Sequence, residues 1–361
     1  MKTPSPNSQK PSIAAVVLAA GKGTRMRSSV PKVLHPVAGR PMLDWVLGAL
    51  EAAGVAKACL VLGPDHTAFS EILADRPELV VAIQHGQAGT GDGVASAAVA
   101  FAKVAMPQYA RGELVRGNPL TTSHVLVCAS DTPAIRSETL ATFVAAAMNA
   151  DAGLAVLAMD VPSPFGYGRI VTGDAGRVTI VEERDASAEI RRITICNTGV
   201  ILARTDLLFS LLGELKPENA QKEYYLTDCF ALAGKRGVGA LVHVTKEWRE
   251  FAGINDRAQL AELESQLIAS KRRALMQSGV TIRLPESVYV DDTVSVGPES
   301  VIESGVVLTG STVIGHGCRI GAGAVLHDAV VGDGAEIGAG AVVNRSRVAA
   351  GQRILSLSVV E

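Results

Sequence analysis

The sequence is poor in aromatic side chains and in net charge, and both shortages narrow what the protein can bind. Aromatic residues make up 4% of the 361 residues, and the formal net charge is only −2. Because a nucleic-acid-binding surface normally shows a basic stripe, we expect no nucleic acid partner. Hydrophobic residues reach 48%, which predicts well-buried cores, and the length is ample for two domains.

Cysteine is also scarce, and its positions are scattered singly without a C-x-x-C pair. An odd number of isolated cysteines, three of them in apolar stretches, predicts reduced core thiols and a reducing compartment. They are Cys59, Cys128, Cys196, Cys229 and Cys318.

Long apolar runs are missing as well. No stretch approaches the ~20 apolar residues that span a bilayer. The leader, residues 1–12, is polar and rich in Pro and Ser, without the apolar segment of a secretory signal. We expect this leader to be disordered and the protein to be cytoplasmic, with no membrane partner.

A glycine-rich stretch near the start is the feature around which the first domain is organised. Small apolar residues from Val16 to Ala20 suit a strand covered on both faces. Gly21 and Gly23 follow, where a missing Cβ lets backbone N–H groups approach an anion, and Arg25 and Lys32 add positive charge. The pattern indicates an oligophosphate site, although an ordinary strand-to-loop turn with two exposed cations would show the same residues.

Two further strands end in polar residues. Gln84 closes an apolar strand and opens a glycine-rich loop, and its amide can pair with a pyrimidine edge. Asp131 follows the apolar strand that starts at His124, at the edge where open α/β sheets bind ligands. A carboxylate beside a triphosphate favours Mg²⁺ as counter-charge; the alternative is a cap for the helix starting near Ser137. We expect residues 105–122, between these strands, to be a surface loop.

A third group of polar residues follows in the second half of this domain. Glycines surround Tyr167, Glu182 can accept hydrogen bonds from sugar hydroxyls, and Asn197 can read an N-acetyl group. The same residues also suit hairpin turns and an edge strand.

The C-terminal part shows an internal repeat. Aliphatic residues recur every six positions, and the period resumes after a one-residue deletion. This hexapeptide pattern predicts a left-handed parallel β-helix of about three coils, whose open end we expect the apolar residues 355–360 to cap. The repeating positions are Val296, Ile302, Leu308, Ile314, Ile320, Leu326, Val331, Ile337 and Val343.

These motifs, in this order, resemble the N-acetylglucosamine-1-phosphate uridyltransferase part of the bifunctional uridyltransferase/acetyltransferase family. The segments that carry the resemblance are LAAGKGTRM, PKVLHPVAGRPML, QAGTG, GYGRI, CNTG, EYYLTD and FAGIND. It implies a Rossmann-like nucleotidyltransferase domain with a mostly parallel sheet, followed by a short left-handed β-helix. The implied bounds are residues 13–256 for this domain, 257–280 for a linking helix and 281–361 for the β-helix, which commonly forms a homotrimer.

The resemblance also implies roles for single residues. Arg25 and Lys32 would be the catalytic cations on the triphosphate, and Asp131 with Asn255 would hold Mg²⁺. The nucleotide-binding residues would be Leu18, Ala20, Gly21, Gly23, Lys32, Gln84, Gly89 and Thr90, and the sugar-binding residues Gly168, Glu182, Asn197, Thr227 and Asn255.

The implied reaction converts UTP and N-acetylglucosamine 1-phosphate to UDP-N-acetylglucosamine, a cell wall precursor, and pyrophosphate. The sequence departs from the family at Ala129 and Ser130, where an aromatic and Gly are usual, at Cys196, which replaces an acidic residue, and at Asp92, which replaces His. These departures leave open dTTP or CTP with glucose 1-phosphate, and a non-catalytic regulatory subunit.

Acetyl transfer is a further alternative, because longer β-helices in this family carry it. We do not expect it, since the catalytic coils of the family lie beyond Glu361. We expect His316 and His327 to be surface residues.

Overall fold

The computed structural model describes residues 12–361, which divide into two compact units. The first unit contains residues 12–34 and 42–253, and the second contains residues 35–41 and 254–361. All but the last residue of the predicted leader lies outside the described residues.

The first unit alternates strands and helices. Its helices are α1 (Met42–Ala52), α2 (Ser70–Asp75), α3 (Thr90–Ser96), α4 (Ser137–Asn149), α5 (Thr205–Leu212) and α6 (Asp228–Lys235). Up to residue 245 the strands are β1 (Ile13–Leu18), β2 (Pro36–Val37), β3 (Arg40–Pro41), β4 (Lys57–Leu62), β5 (Val80–Gln84), β6 (Gly112–Arg116), β7 (His124–Ala129), β8 (Leu154–Asp160), β9 (Arg169–Thr172), β10 (Val178–Val181), β11 (Ile195–Arg204) and β12 (Leu241–Thr245). The short hairpin β2–β3 belongs to the second unit.

Ten strands of the first unit form one mixed sheet in the order β10-β9-β11-β7-β1-β4-β5-β6, with β8 paired to β11 and β12. β1 runs parallel to both β4 and β7. Alternate residues of β1 enter two different apolar cores, Ala14 and Val16 one and Ala15 and Val17 the other. The strand is therefore covered on both faces, which explains its uninterrupted small apolar sequence.

Residues 105–122 are not simply a surface loop, as the sequence suggested. They contain β6, which pairs antiparallel with β5 and has no neighbour beyond it in the described sheet. Its side chains alternate between half-buried and exposed. An edge strand of this kind needs few apolar residues, so its sequence carries only a weak strand signal.

Besides the hairpin, the second unit contains a long helix, α7 (Arg257–Gln277), which is followed by short parallel strands. The Asp256 side chain caps α7 by accepting the N–H groups of Ala258 and Gln259. The strands are β13 (Thr281–Ile282), β14 (Tyr289–Val290), β15 (Ser295–Val296), β16 (Val301–Ile302), β17 (Val307–Thr309), β18 (Val313–Ile314), β19 (Arg319–Ile320), β20 (Val325–His327), β21 (Val330–Val331), β22 (Glu336–Ile337), β23 (Val342–Asn344), β24 (Arg347–Val348), β25 (Arg353–Ile354) and β26 (Val359–Val360).

These strands stack into three parallel sheets, β13-β16-β19-β22-β25, β14-β17-β20-β23-β26 and β15-β18-β21-β24. The second residue of each short strand points inward and is buried, except at the last strand, where Val360 is half-buried. Together with the sheet of the first unit, this arrangement confirms the predicted fold class, a Rossmann-like domain followed by a short left-handed β-helix.

The β-helix is longer than the three coils expected. Two of its sheets contain five strands and the third contains four. The repeat was undercounted at both ends. β13 and β14 precede the first counted position, Val296, and after Val343 the spacing drops from six to five a second time, to Val348, and then resumes. Residues 355–360 do not cap the helix, because β26 pairs with β23 and continues the coil, while Leu355 stays 68% exposed.

All five cysteines are buried and free, as predicted. Burial raises the pKa of the Cys59 and Cys128 thiols to about 12. Within residues 12–361, no helix is both long and apolar enough to cross a membrane.

Candidate functional site

A cavity of about 460 Å³ opens in the first unit at the carboxyl ends of β1, β5 and β7. Its walls come from the glycine-rich loop, the loop leading into α3, the residues after β7 and a single residue of a later segment. These are Leu18, Ala19, Ala20, Gly21, Lys22, Lys32, Val33, Gln84, Gln87, Gly89, Thr90, Gly93, Ala129, Ser130, Asp131 and Glu223. Eight of the predicted residues therefore share one cavity: Leu18, Ala20, Gly21, Lys32, Gln84, Gly89, Thr90 and Asp131.

The glycine-rich loop brings Lys32 to the cavity wall. Gly23 has a φ of +56°, and a Cβ built there would lie 2.6 Å from the Lys32 Cβ. Glycine is therefore needed both for the backbone conformation and for the close approach of Lys32. Gly23 itself and Arg25 do not line the cavity, and Arg25 is exposed on the 3₁₀ turn Thr24–Met26.

Lys32 and Asp131 form an ion pair within the cavity. The Lys32 Nζ donates to the Asp131 Oδ2 at 2.5 Å, and the two side chains are 12% and 26% exposed. α4 begins at Ser137 with Arg136 as its N-terminal flanking residue, so Asp131 does not cap this helix. The carboxylate is instead available at the cavity wall, next to a cation that can meet phosphate.

The donor set fits Mg²⁺ held mainly by substrate. No group of three or more His, Cys, Asp or Glu side chains that could hold a metal occurs within residues 12–361. Mg²⁺ usually takes one or two protein oxygens, with phosphate and water supplying the rest, and Asp131 can provide one. Asn255, the second ligand that the resemblance implies, lies in the second unit, and its role stays a prediction.

The loop after β5 holds Gln84 in a fixed orientation. Gln84 is 5% exposed, and its Nε2 donates to the Gly89 carbonyl oxygen at 3.2 Å and to the Asp92 Oδ2 at 2.8 Å. Gly89 has a φ of +104°, and a Cβ there would lie 2.7 Å from the Tyr224 carbonyl oxygen. The Leu226 N–H donates to the Thr90 Oγ1 at 3.2 Å. The loop is thereby joined to the segment that carries Thr227.

The predicted sugar-binding residues of the first unit also lie together. The Thr227 hydroxyl donates to the Glu182 Oε1 at 2.9 Å, and the Asn197 N–H donates to the Gly168 carbonyl oxygen at 2.8 Å. A Cβ on Gly168 would lie 3.2 Å from the Glu182 Oε2, so this glycine leaves room beside the carboxylate. Burial raises the pKa of Glu182, the Thr227 hydrogen bond opposes that shift, and nearby Asp228 and Asp185 add to it.

Two of the residues that depart from the family pattern, Ser130 and Cys196, have well-defined surroundings in the structure. The Ser130 hydroxyl donates to the Leu18 carbonyl oxygen at 2.6 Å, which joins the ends of β7 and β1 at the cavity. Cys196 is fully buried, and burial raises its pKa to about 11, an effect that the nearby Arg169 opposes.

Several residues that line the cavity were not predicted from the sequence. Lys22, Gln87, Gly93 and Glu223 line the wall, and Gln87 Nε2 donates to the Ala20 carbonyl oxygen at 3.2 Å. Gln87 and Gly93 lie in or beside the loop already singled out, so the signal was present. For Glu223 the sequence gives no signal for a cavity position other than its place at the start of the segment EYYLTD.

A glycine-rich loop, the Gln84 amide and the Asp131 carboxylate meet at one edge of a mixed sheet, an arrangement typical of nucleotidyltransferases. Residues 15–194 match the family model described as MobA-like NTP transferase domain. Residues 311–345 match the bacterial transferase hexapeptide model with six repeats.

More particularly, the chain is similar to proteins named bifunctional protein GlmU. Identity is 39% with that of Pelobacter propionicus (86% of this chain, 64% of the relative), 41% with Carboxydothermus hydrogenoformans (87% and 66%) and 43% with Sorangium cellulosum (88% and 64%). The chain thus spans less than two thirds of the length of these relatives.

Among solved structures, the fold is similar to that of a putative glucose-1-phosphate thymidylyltransferase from Bacillus anthracis determined in complex with a sucrose. The TM-score is 0.53 at 18% identity, covering 70% of this chain and 94% of the other. At this identity the likeness concerns the fold alone.

Proposed function

We propose that the protein makes UDP-N-acetylglucosamine and pyrophosphate from UTP and N-acetylglucosamine 1-phosphate. The observation that carries the proposal is the cavity, where a glycine-rich loop, Gln84 and the Lys32–Asp131 pair meet at the carboxyl edge of one sheet. The similarity to bifunctional GlmU proteins over 86–88% of this chain supports the same reading.

In this reaction a phosphate oxygen of the sugar 1-phosphate attacks the α-phosphorus of UTP. The bond from that phosphorus to the bridging oxygen breaks, and pyrophosphate leaves in line. The nucleophile is already an anion, so no serine, cysteine or histidine has to be activated. The work of the protein is positioning and charge neutralisation.

The chain's own residues divide this work. Lys32 holds phosphate oxygens, and we assign Arg25 the same task by resemblance. Gln84, Gly89 and Thr90 hold the base, while Gly168, Glu182, Asn197 and Thr227 hold the sugar. Asp131 and, according to the resemblance, Asn255 would hold Mg²⁺, which would supply positive charge to the phosphates.

The test is pyrophosphate release with Mg²⁺, in which UTP, dTTP and CTP are each combined with N-acetylglucosamine 1-phosphate and glucose 1-phosphate. Release confined to UTP with N-acetylglucosamine 1-phosphate supports the proposal. Release with another pair would support nucleotidyl transfer but assign different substrates. Ala129 and Ser130 would then be the first residues to examine. No release with any pair favours a regulatory subunit.

The β-helix carries a second proposal, a homotrimer, which its outer surface supports. The outward residues of β17, β20 and β23 are Val307, Val325 and Val342, which stack in register and are half-buried in the single chain. A continuous apolar stripe on a sheet face suits burial against copies of the same chain.

Two smaller proposals follow from the same reading. The five buried free thiols support a cytoplasmic location. We expect no acetyl transfer, because His316 is exposed and His327 pairs with Asp328 on the β-helix surface. Release of CoA from acetyl-CoA with glucosamine 1-phosphate would contradict this expectation.

A further inference from the structure

We propose that Asp92 is a positioning residue that locks the Gln84 amide with its oxygen toward the base, so that the site selects a pyrimidine with an N3–H. This inference rests on the proposed nucleotide site and specifies the class of base that it accepts. Asp92 lies in α3, one turn after Gly89, and has no part in the phosphate or sugar contacts described above.

The Asp92 carboxylate is buried beneath the loop that faces the base. The residue is 1% exposed, and its Oδ2 accepts the Gln84 Nε2 at 2.8 Å and the Ala88 N–H at 3.0 Å. A Cβ on Gly86 would lie 2.8 Å from the same oxygen. The loop thus folds closely over Asp92, and the missing side chain of Gly86 provides the space for the carboxylate.

These contacts use both donors of the Gln84 amide. One N–H goes to Asp92 and the other points to the Gly89 carbonyl oxygen at 3.2 Å. Rotating the amide by half a turn would set the Gln84 oxygen against two acceptors, which loses two hydrogen bonds and adds repulsion. The surrounding groups therefore favour a single orientation.

In that orientation the Gln84 Oε1 is left as an acceptor at the cavity wall. It lies beside Gly93, where a Cβ would be 3.2 Å from it, and Gln84, Gly93 and Leu18 all line the cavity. No side chain or backbone group within residues 12–361 donates to this oxygen. A ligand in the cavity can therefore donate to it without competition.

An acceptor at this point distinguishes the pyrimidines. Uracil and thymine carry an N3–H that can donate to the Gln84 oxygen, whereas the N3 of neutral cytosine is itself an acceptor. Two acceptors facing each other cannot pair, so we expect CTP to bind much more weakly than UTP. A glutamine amide free to rotate could instead accept from uracil or donate to cytosine, and would not distinguish the two bases.

Asp92 also has an ordinary structural role, because its bond to the Ala88 N–H resembles the side-chain caps of helix starts. A capping role alone would change stability without changing the choice of base. The selectivity between UTP and CTP therefore separates the two roles.

The experiment measures equilibrium binding of UTP, CTP and 3-methyl-UTP by calorimetry, with Mg²⁺ present. The wild-type protein should bind UTP about 100-fold more tightly than CTP or 3-methyl-UTP, which lacks the N3–H. Asp92→Leu, similar in size but without acceptors, should lower the ratio of UTP to CTP affinity by about 10- to 100-fold. Asp92→Asn keeps an acceptor for Gln84 and should show a ratio of UTP to CTP affinity close to that of the wild type.

Controls and contrary outcomes are defined by the same measurement. Asp75→Leu, at the exposed end of α2, should leave the ratio as in the wild type. Equal wild-type binding of UTP and 3-methyl-UTP would overturn the proposal even if Asp92→Leu does not fold, and so would an unchanged ratio in a folded Asp92→Leu. Selective UTP binding without pyrophosphate release would keep this inference and defeat the proposed reaction, whereas no UTP binding would defeat both.

Discussion

Lys32 carries the positive charge that lies against Asp131 in the cavity. If it also stabilises charge on the transferring phosphate, Lys32→Ala should lower kcat/KM for UTP by about 10²–10³. Steady-state pyrophosphate release measures the effect. Lys57→Ala, an exposed lysine at the start of β4, is the matched control and should behave as the wild type. A change in Lys32→Ala of less than about threefold would show that Lys32 does not stabilise charge on the transferring phosphate.

Glu182 makes a pH dependence of sugar binding testable. Because burial raises its pKa above the ordinary 4.5, the carboxylate takes up a proton at a higher pH than an exposed glutamate does. Protonation removes an acceptor for sugar hydroxyls, so KM for N-acetylglucosamine 1-phosphate should rise as the pH falls through that raised pKa.

The Glu182→Gln variant separates this effect from protonation of the substrate phosphate. It should raise KM about 10- to 100-fold at neutral pH and retain only the pH dependence that belongs to the substrate. Glu189→Gln, at an exposed position, is the control. A KM profile identical in wild type and Glu182→Gln would remove Glu182 from the sugar site.

At the residue scale, the sequence was informative where chemistry requires a particular side chain. Asp131 and Gln84 were singled out at strand ends and Lys32 as a positive charge beside the glycine-rich loop, and all three line the cavity. Asp92 could not be found in this way, because its effect passes through Gln84 and depends on how the loop folds over it. Glu223 was missed for a similar reason, since it reaches the cavity from a distant segment.

At the scale of elements, the glycine-rich loop depends on what a missing Cβ permits. Gly23→Ala would place a methyl group 2.6 Å from the Lys32 Cβ in a backbone conformation with φ of +56°. We expect it to lower kcat/KM by about 10- to 100-fold because Lys32 must move, and to destabilise the protein by about 1–2 kcal/mol.

Gly54→Ala is the matched control for this loop. Gly54 also has a positive φ, +86°, but a Cβ there meets nothing within 4 Å. It should therefore lower the melting temperature as Gly23→Ala does and leave turnover unchanged. Equal losses of turnover in both variants would show that strain alone, and not the approach of Lys32, explains the loop glycine.

Elements were predictable to the extent that their residues repeat or alternate. The hexapeptide period identified the β-helix because each inward aliphatic residue must fill the same prism. The number of coils was underestimated, since β13 and β14 precede the first counted position and the five-residue step to Val348 hides the continuation of the pattern. β6 was missed because an edge strand with one exposed face has little apolar signal.

At the scale of the whole molecule, the outer faces of the β-helix differ in a way that predicts how copies of the chain meet. The face of β17, β20 and β23 presents a row of valines beside a polar row of Thr309, His327 and Asn344, and Val359, on the next strand, is 65% exposed. The face of β19, β22 and β25 presents Arg319, Glu336 and Arg353 instead. Burial of the valine row would remove apolar surface from water, and the His327–Asp328 pair on the same face already has its partners within one chain.

The homotrimer can therefore be tested with two variants that carry the same type of substitution, valine to arginine, on different faces. Val325 lies between Val307 and Val342 on the valine face, whereas Val301 lies beside Arg319 on the charged face. The wild-type protein should have three times the chain mass of 37.5 kDa in light scattering. Val325→Arg should shift it to the mass of one chain, because three buried guanidinium groups without partners are strongly unfavourable. Val301→Arg should remain trimeric, and a wild-type monomer or a trimeric Val325→Arg would show that the valine face is not the interface.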